Sequence, residues 1–409
     1  MNEFFKRYQI GCWHYRTTTY TLNYDPVEVQ KDLGMTYAAL PEHWHYGKTG
    51  IEEAALEKYM ESARRLNMPV LYSDRRLFGT RAIAKPSIEK GRERLKFVKE
   101  KFGDVVKGVF IADEPWWGEQ DEHKAIDACK EYVDLVRSET PEFWTFIALL
   151  GVHDRYAKGY EELRDYVDTV KPDFLLYNVY SQLLAEDFEK EQGIINFYYQ
   201  LYVYTQMAKE KNLPLWASLM VTSCWSFRTP TQSELRWQLN VCAAHGVKGF
   251  VWYHLQENCY NPSEGSGICP IDGFGEKTPM YDALKHENLS FRVSVADKLE
   301  GYELVEVYHY LIRYSGFKAF EFADDEVIED VRSAYNRHLI ISRFKSKDGK
   351  TRVMITNGSQ DKNGNFRIKF KGKYAKYDVS DESGYLSPGG AKIIDLFDKA
   401  PDPRDEVLD

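Results

Sequence analysis

The sequence predicts a (β/α)8 TIM barrel followed by a small C-terminal antiparallel β-sandwich domain, and three observations carry that reading. Over the first 300 residues, short apolar runs alternate with longer amphipathic ones, the pattern of strands covered by helices. The runs are apolar throughout instead of strictly alternating, as expected for parallel strands buried on both faces. Past about residue 302 the helical period stops, and short strands separated by Gly-containing turns take over.

The eight strands read as Gln9–Tyr15, Thr36–Leu40, Val70–Ser73, Gly108–Ala112, Phe143–Leu150, Phe174–Tyr180, Leu215–Val221 and Gly249–His254. Helices between them carry start signals. Asp25-Pro26-Val27-Glu28 combines an N-cap, a first-turn Pro and a capping Glu, with Gly34 as the stop. Thr49-Gly50-Ile51-Glu52 and Thr231-Gln232-Ser233-Glu234 have capping-box spacing. A last helix over Met280–Leu299 closes the ring. The C-terminal strands read as Leu339–Phe344, Arg352–Thr356, Phe366–Phe370 and Lys392–Leu396. Turns are expected at Lys347-Asp348-Gly349-Lys350, Lys362-Asn363-Gly364-Asn365 and Ser387-Pro388-Gly389-Gly390. The expected domains are therefore a catalytic barrel over 1–302, a sandwich over 303–400 and an acidic tail over 401–409.

Bulk composition narrows the function classes. With 409 residues, 43% hydrophobic and 29% charged, the chain is neither disordered nor fibrous. A net charge of −9 with no long basic run argues against nucleic acid and anionic membranes as partners. No G-x-G-x-x-G or P-loop pattern occurs, so no cofactor is assigned. Six cysteines without a C-x-x-C pair suit buried reduced thiols, and no metal site is assigned. The first ten residues hold Glu3, Lys6 and Arg7 and no apolar signal region, so a cytoplasmic protein is expected, although a trimmed secreted chain would look the same. The 15% aromatic content suits either sugar-stacking platforms or a large aromatic core.

Barrels of this kind place reacting groups in the loops after each strand. The most informative stretch is Gly108-Val-Phe-Ile-Ala-Asp113-Glu114-Pro115-Trp116-Trp117. Two adjacent acids at the end of an apolar strand, followed by aromatics, push one carboxyl pKa upward, which general acid catalysis near neutral pH requires. The alternative is an acidic start to the next helix. Trp13, Trp44, Trp116, Trp117, Trp225 and Trp252 are candidate stacking platforms, or core. His14, His43, His45, Asn178, Tyr180, His254 and Gln256 are candidate hydrogen-bonding partners for a sugar.

Ala112-Asp113-Glu114-Pro115 resembles the acid/base motif of the large retaining-glycosidase clan, where Asn-Glu-Pro is common. Together with Arg228-Thr-Pro-Thr-Gln-Ser-Glu234-Leu-Arg236-Trp-Gln238 and Ala-His-Gly246-Val-Lys-Gly249-Phe, it resembles the barrel domain of microbial β-galactosidases and related glycosidases predicted in carbohydrate-degrading bacteria. The resemblance covers about residues 8–300 and implies a glycoside hydrolase with a carbohydrate substrate and Glu114 as general acid(/base). It also exposes a departure. The clan's nucleophilic carboxylate belongs at the end of strand seven, where Leu215–Trp225 contains neither Asp nor Glu. Glu257, just past strand eight, is the nearest substitute, with Asp74, Asp154, Glu264 and Asp272 behind it. Arg75 and Arg76 suit either an acidic sugar or a pairing with Asp74. Two other readings stay open: a non-catalytic carbohydrate-binding relic, and a metal-dependent barrel hydrolase or isomerase using His43 and His45.

Overall fold

In the computed structural model the structure describes residues 3–14, 23–41, 49–74, 76–77, 87–115, 122–151, 158–183, 187–224, 227–257, 268–312, 314, 316–322, 324–380 and 382–398. The chain divides into two compact units, Met1–Leu235 with Val247–Ser290, and Arg236–Gly246 with Phe291–Asp409. The second unit thus takes in a helical segment and begins again at Phe291, whereas the sequence pattern changes at 302.

The first unit carries eight parallel strands: β1 (Gln9–Cys12), β2 (Ala38–Ala39), β3 (Val70–Tyr72), β4 (Val106–Asp113), β5 (Trp144–Leu150), β6 (Leu175–Asn178), β7 (Leu215–Met220) and β8 (Gly249–Tyr253). They are ordered β1-β8-β7-β6-β5-β4-β3-β2. The amide of Thr36 donates to the Ile10 carbonyl at 2.8 Å, so the ring is nearly closed between β1 and β2. Helices α1 (Pro26–Asp32), α2 (Thr49–Arg65), α3 (Ile88–Phe102), α4 (Glu122–Glu139), α5 (Lys158–Val170), α6 (Asp187–Lys211), α7 (Gln232–Ala244) and α8 (Pro279–Phe291) alternate with the strands. At α1, Asp25 accepts from the amides of Val27 and Glu28, Pro26 occupies the first turn, and Gly34 sits at φ 77°. After Phe291 the helix passes through a π-helical turn (Arg292–Ala296) before ending at Leu299.

The lower half of the barrel interior is aromatic. Tyr37, Trp144, Phe174 and Trp216 lie at or just before the N-terminal ends of β2, β5, β6 and β7, and Phe4 and Phe5 of the preceding 3-10 turn pack against them. Phe4 stacks on Trp144 at 5.4 Å between ring centroids, and Phe174 lies 4.4 Å from Trp216. Glycines on neighbouring strands make room for these rings. Gly108 is the register partner of Trp144 and Gly249 that of Trp216, while Gly11 of β1 faces Tyr37. A Cβ at position 249 would lie 2.1 Å from the Trp216 ring. Trp216 is wedged among Tyr37, Trp144 and Phe174 and cannot yield, so Gly249→Ala is expected to destabilise the barrel by about 3 kcal/mol, the upper part of the usual overpacking range. Urea denaturation followed by tryptophan fluorescence measures this. A midpoint equal to that of wild type would show that the ring is free to move.

The second unit contains two sheets, one ordered β10-β9-β12-β13-β16 and one ordered β11-β14-β15. Their strands are β9 (Tyr302–Tyr310), β10 (Lys318–Ala319), β11 (Ile328–Ala334), β12 (Leu339–Ser346), β13 (Thr351–Asn357), β14 (Gly364–Phe370), β15 (Tyr385–Leu386) and β16 (Ala391–Asp395). One apolar core joins them, with Phe366, Ile368 and Phe370 of β14 meeting Ile341, Val353 and Ile355 of the larger sheet. Gly349, at φ 84°, turns the β12–β13 hairpin as expected. The sheets are antiparallel as expected, apart from the two-residue β10, which runs parallel to β9. One expectation needs correction: Asn363-Gly364 is not a hairpin turn, because β13 and β14 belong to different sheets and Gly364 begins a strand.

Candidate active site

β4 has one residue more than β5 between Phe110 and Ala112, a bulge that re-aims its final side chains. It ends at Asp113. Glu114 follows in the left-handed region, at φ 47°, held there by its amide donating to the Ala148 carbonyl at 2.8 Å. Such a backbone costs a non-glycine residue about 1–3 kcal/mol and is typical of functional positions. Both acids are half-buried. Asn178, the last residue of β6, donates from its side-chain nitrogen to Asp113 Oδ1 and to Glu114 Oε1, each at 3.1 Å. Burial pushes the Glu114 carboxyl above its ordinary range, and the Asn178 hydrogen bond pulls against it. An upward shift of the carboxyl pKa is the direction that proton donation to a leaving oxygen needs.

Other residues gather in the upper part of the barrel. Trp13 donates from Nε1 to Ser218 Oγ at 2.9 Å, and the Tyr180 hydroxyl shares the same Ser218 oxygen at 3.0 Å. Tyr253 lies 5.7 Å from Tyr180 between ring centroids. Ser218 and Tyr253 were not singled out in the sequence. The strand period could have found them: Trp216 and Met220 of β7 and Val251 of β8 point into the barrel, so positions 218 and 253 do too.

That period also corrects Trp252. It sits one residue from the inward Val251 and Tyr253, is fully buried, and donates from Nε1 to Asn288 Oδ1 of α8 at 3.0 Å. It packs under a helix and is no stacking platform. Trp13, only 5% exposed and set edge-to-face against Phe110 and Phe146, is also core. Every described tryptophan is buried, so in these positions the aromatic content builds the interior. Trp44, Trp116, Trp117 and Trp225, with His43 and His45, lie outside the described residues, as do Arg75, Asp154 and Glu264.

The remaining candidates form a second network at the ends of β1 and β8. His14 Nε2 is 3.2 Å from the Tyr24 hydroxyl, which donates to Gln256 Oε1 at 3.0 Å. The Gln256 side chain donates in turn to the Asp272 carbonyl at 3.4 Å. Glu257 Oε2 accepts from the Gly273 amide at 3.3 Å. His14 and Gln256 are buried and tied to protein groups, and Glu257 braces a turn. His254, also buried, has Nε2 3.8 Å from Cys269 Sγ, whose thiol donates to Thr222 Oγ1 at 3.2 Å. Asp272 Oδ1 accepts from the amides of Phe274 and Glu276, a turn-capping role. Asp74 is fully buried against Arg76 and Arg94. Burial alone would raise its pKa, but the Arg76 hydrogen bonds and both guanidinium charges hold it below the ordinary range. Among the described residues, no three His, Cys, Asp or Glu side chains are grouped as a metal site, and no helix is long and apolar enough to cross a membrane.

The long motif after β7 proves to be scaffold. Arg228 grips the Glu234 carboxylate with both guanidinium nitrogens, and the Thr231 amide donates to Glu234 Oε2 at 2.7 Å, with the Glu234 amide returning to Thr231 Oγ1. Burial would raise the Glu234 pKa, yet Arg228 holds it below the ordinary range. Glu234→Gln leaves Arg228 half-buried without its counter-charge, and is expected to lower stability by about 1.5–3 kcal/mol, the usual worth of a charged hydrogen bond. A melting temperature unchanged at pH 7 would contradict this. In the second unit, Arg236 Nη1 donates to Ser387 Oγ, Trp237 Nε1 to the Gly358 carbonyl and Asn240 to the Gly389 carbonyl.

No family model matches the chain, and no curated protein matches it in sequence. Solved structures do match. A catalytic mutant of Gan42B, a GH42 β-galactosidase from G. stearothermophilus, superposes with a TM-score of 0.59 at 8% identity, over 95% of this chain and 98% of that chain. The shared fold is the barrel of eight parallel strands with the appended sheets. The β-galactosidase of Bacillus circulans sp. alkalophilus gives 0.53 at 10% identity, over 75% of this chain and 59% of that one. That of Rahnella sp. R3 gives 0.53 at 10% identity, over 74% and 58%. The chain spans about three fifths of the length of the first β-galactosidases it matches. At such identities the likeness is one of fold.

Proposed function

We propose that this protein is a glycoside hydrolase in which Glu114 is the general acid. The observation that carries the reading is the state of Glu114. It sits at the C-terminal end of a barrel strand, in a strained backbone conformation, with burial raising its carboxyl pKa beside a second acid. Fold neighbours that are β-galactosidases support it and make β-D-galactosides the first substrates to try. Asp113 tunes and positions Glu114. The second catalytic carboxylate is Glu257 or one of the loop acids beyond the described residues.

Nitrophenyl β-galactoside, β-glucoside and related glycosides, together with unmodified disaccharides, should be incubated with the protein with and without a chelator. Turnover unaffected by chelation is the expected result. Loss of turnover on chelation selects metal-assisted chemistry at His43 and His45 instead. A second reading, a non-catalytic sugar-binding protein, is favoured by β7, whose inward positions 216, 218 and 220 are Trp, Ser and Met. Calorimetric binding of a sugar without turnover of any glycoside selects it.

A further inference from the structure

Asn178 is the polar interruption in an otherwise apolar row. Phe174, Leu176 and Tyr180 are its inward neighbours on and beside β6, and all three belong to the barrel core. Its side chain reaches past β5 to the end of β4, where one NH2 group serves two carboxylates at 3.1 Å each. The amide orientation follows from chemistry: a carbonyl oxygen turned towards two carboxylates would be repelled by both. Asn178 Oδ1 is consequently turned away and buried with no partner among the described residues. An unpaired buried carbonyl is costly, so the arrangement persists because the two N–H bonds to the acids outweigh it.

We propose that Asn178, read from the sequence as a sugar contact, is instead a positioning residue that clamps Asp113 and Glu114 into one proton-holding unit and sets the pH at which Glu114 gives up its proton. Among the described residues, Tyr180 and Tyr204 also feel the Glu114 charge, and burial keeps their phenols protonated. Each N–H bond favours the ionised carboxylate. Removing the donor leaves burial and the neighbouring acid unopposed, and Glu114 holds its proton to higher pH.

The kinetic part of the inference rests on the glycosidase reading, whereas the titration part does not. The experiment is carboxyl NMR on protein labelled at the side-chain carbons of Asp and Glu, with the Glu114 signal assigned from its loss in Glu114→Gln. Asn178→Ala should move the Glu114 titration upward by about one pH unit, a tenfold change in proton affinity. Asn178→Asp has nearly the same shape and places a third carboxylate in the clamp. It should move the titration further in the same direction, which keeps the test open if the alanine variant folds poorly. A Glu114 titration unchanged in the variant that folds overturns the proposal, whether or not any glycoside is turned over. With an unactivated glycoside that is turned over, whose leaving oxygen must be protonated, the basic limb of the kcat/KM profile should move up by the same amount, because Glu114 must be protonated to act. A rise in KM at every pH with the limb unmoved would instead mark Asn178 as a sugar contact and overturn the proposal.

Discussion

Glu114→Gln is expected to keep the fold and the binding of sugar while turnover falls by about 10²- to 10⁴-fold, the usual worth of a positioned general acid. Gln fills the same space and still offers Asn178 an acceptor, so the clamp at 3.1 Å loses a charge and keeps its shape. What disappears is the proton. The loss should be largest for unactivated glycosides, whose leaving oxygen departs only when protonated, and smallest for nitrophenyl glycosides, whose leaving group is stable as an anion. Asp113→Asn should cost less than Glu114→Gln on both, since Asp113 is proposed to act through Glu114. Matched kcat measurements for the three proteins on a natural and a nitrophenyl glycoside decide the matter. Equal turnover of the natural glycoside by the Gln variant would remove Glu114 from the chemistry.

The second large effect is an acid-induced loss of stability in the C-terminal unit. His245, His309 and His338 form a buried chain, with Nε2 of His245 3.0 Å from Nε2 of His309, and Nδ1 of His309 3.1 Å from Nε2 of His338. His245 Nδ1 must donate to the Val241 carbonyl, 2.7 Å away, because a carbonyl only accepts. With neutral rings the rest follows: His309 donates to His245, and His338 donates to His309. Phe317 stacks on His309, with 4.8 Å between ring centroids, and Tyr314 flanks His309 and His338. An added proton turns one acceptor into a donor facing another donor, in a buried site. Burial pushes His245 down to about 4 and His338 to about 3, and burial and its two neighbours hold His309 well below the ordinary range.

A base with a depressed folded-state pKa lets the unfolded chain take up protons first. The neutral chain is therefore fully stable above about pH 6.5, and stability falls as the pH drops from there towards 4 and below. Each histidine adds a slope of about 1.4 kcal/mol per pH unit, so two or three acting together give roughly 3–4. Calorimetric melting of the full chain between pH 7 and 5 is the measurement, since carboxylates contribute little in that window. A melting temperature that stays constant across it would mean that the triad takes up protons while folded.

Much of this was legible in one dimension. The βα alternation is a periodicity repeated along the chain, and the Asp25-Pro26 helix start, the Gly349 hairpin and the Asp113-Glu114-Pro115 strand end are local patterns, spelled out over ten residues or fewer. Trp252 and Asn363-Gly364 show where local reading stops. Trp252 was a candidate stacking platform because it lies near the end of a strand, yet a strand alternates faces, and its neighbours Val251 and Tyr253 took the inward positions. Asn363-Gly364 has the residue types of a hairpin turn, but which strand Gly364 joins depends on partners far away in the chain.

The sequence by itself determined the class of fold and the location of the acid, because both follow from periodicity and from which residue types a strand end will tolerate. Only the tertiary structure decided what surrounds that acid. Asn178 lies 64 residues from Glu114, and Ser218 lies 205 from Trp13, so no spacing rule joins them. The register of eight strands around a nearly closed ring brings them together, and with them comes the balance of burial and hydrogen bonding that sets when Glu114 is protonated.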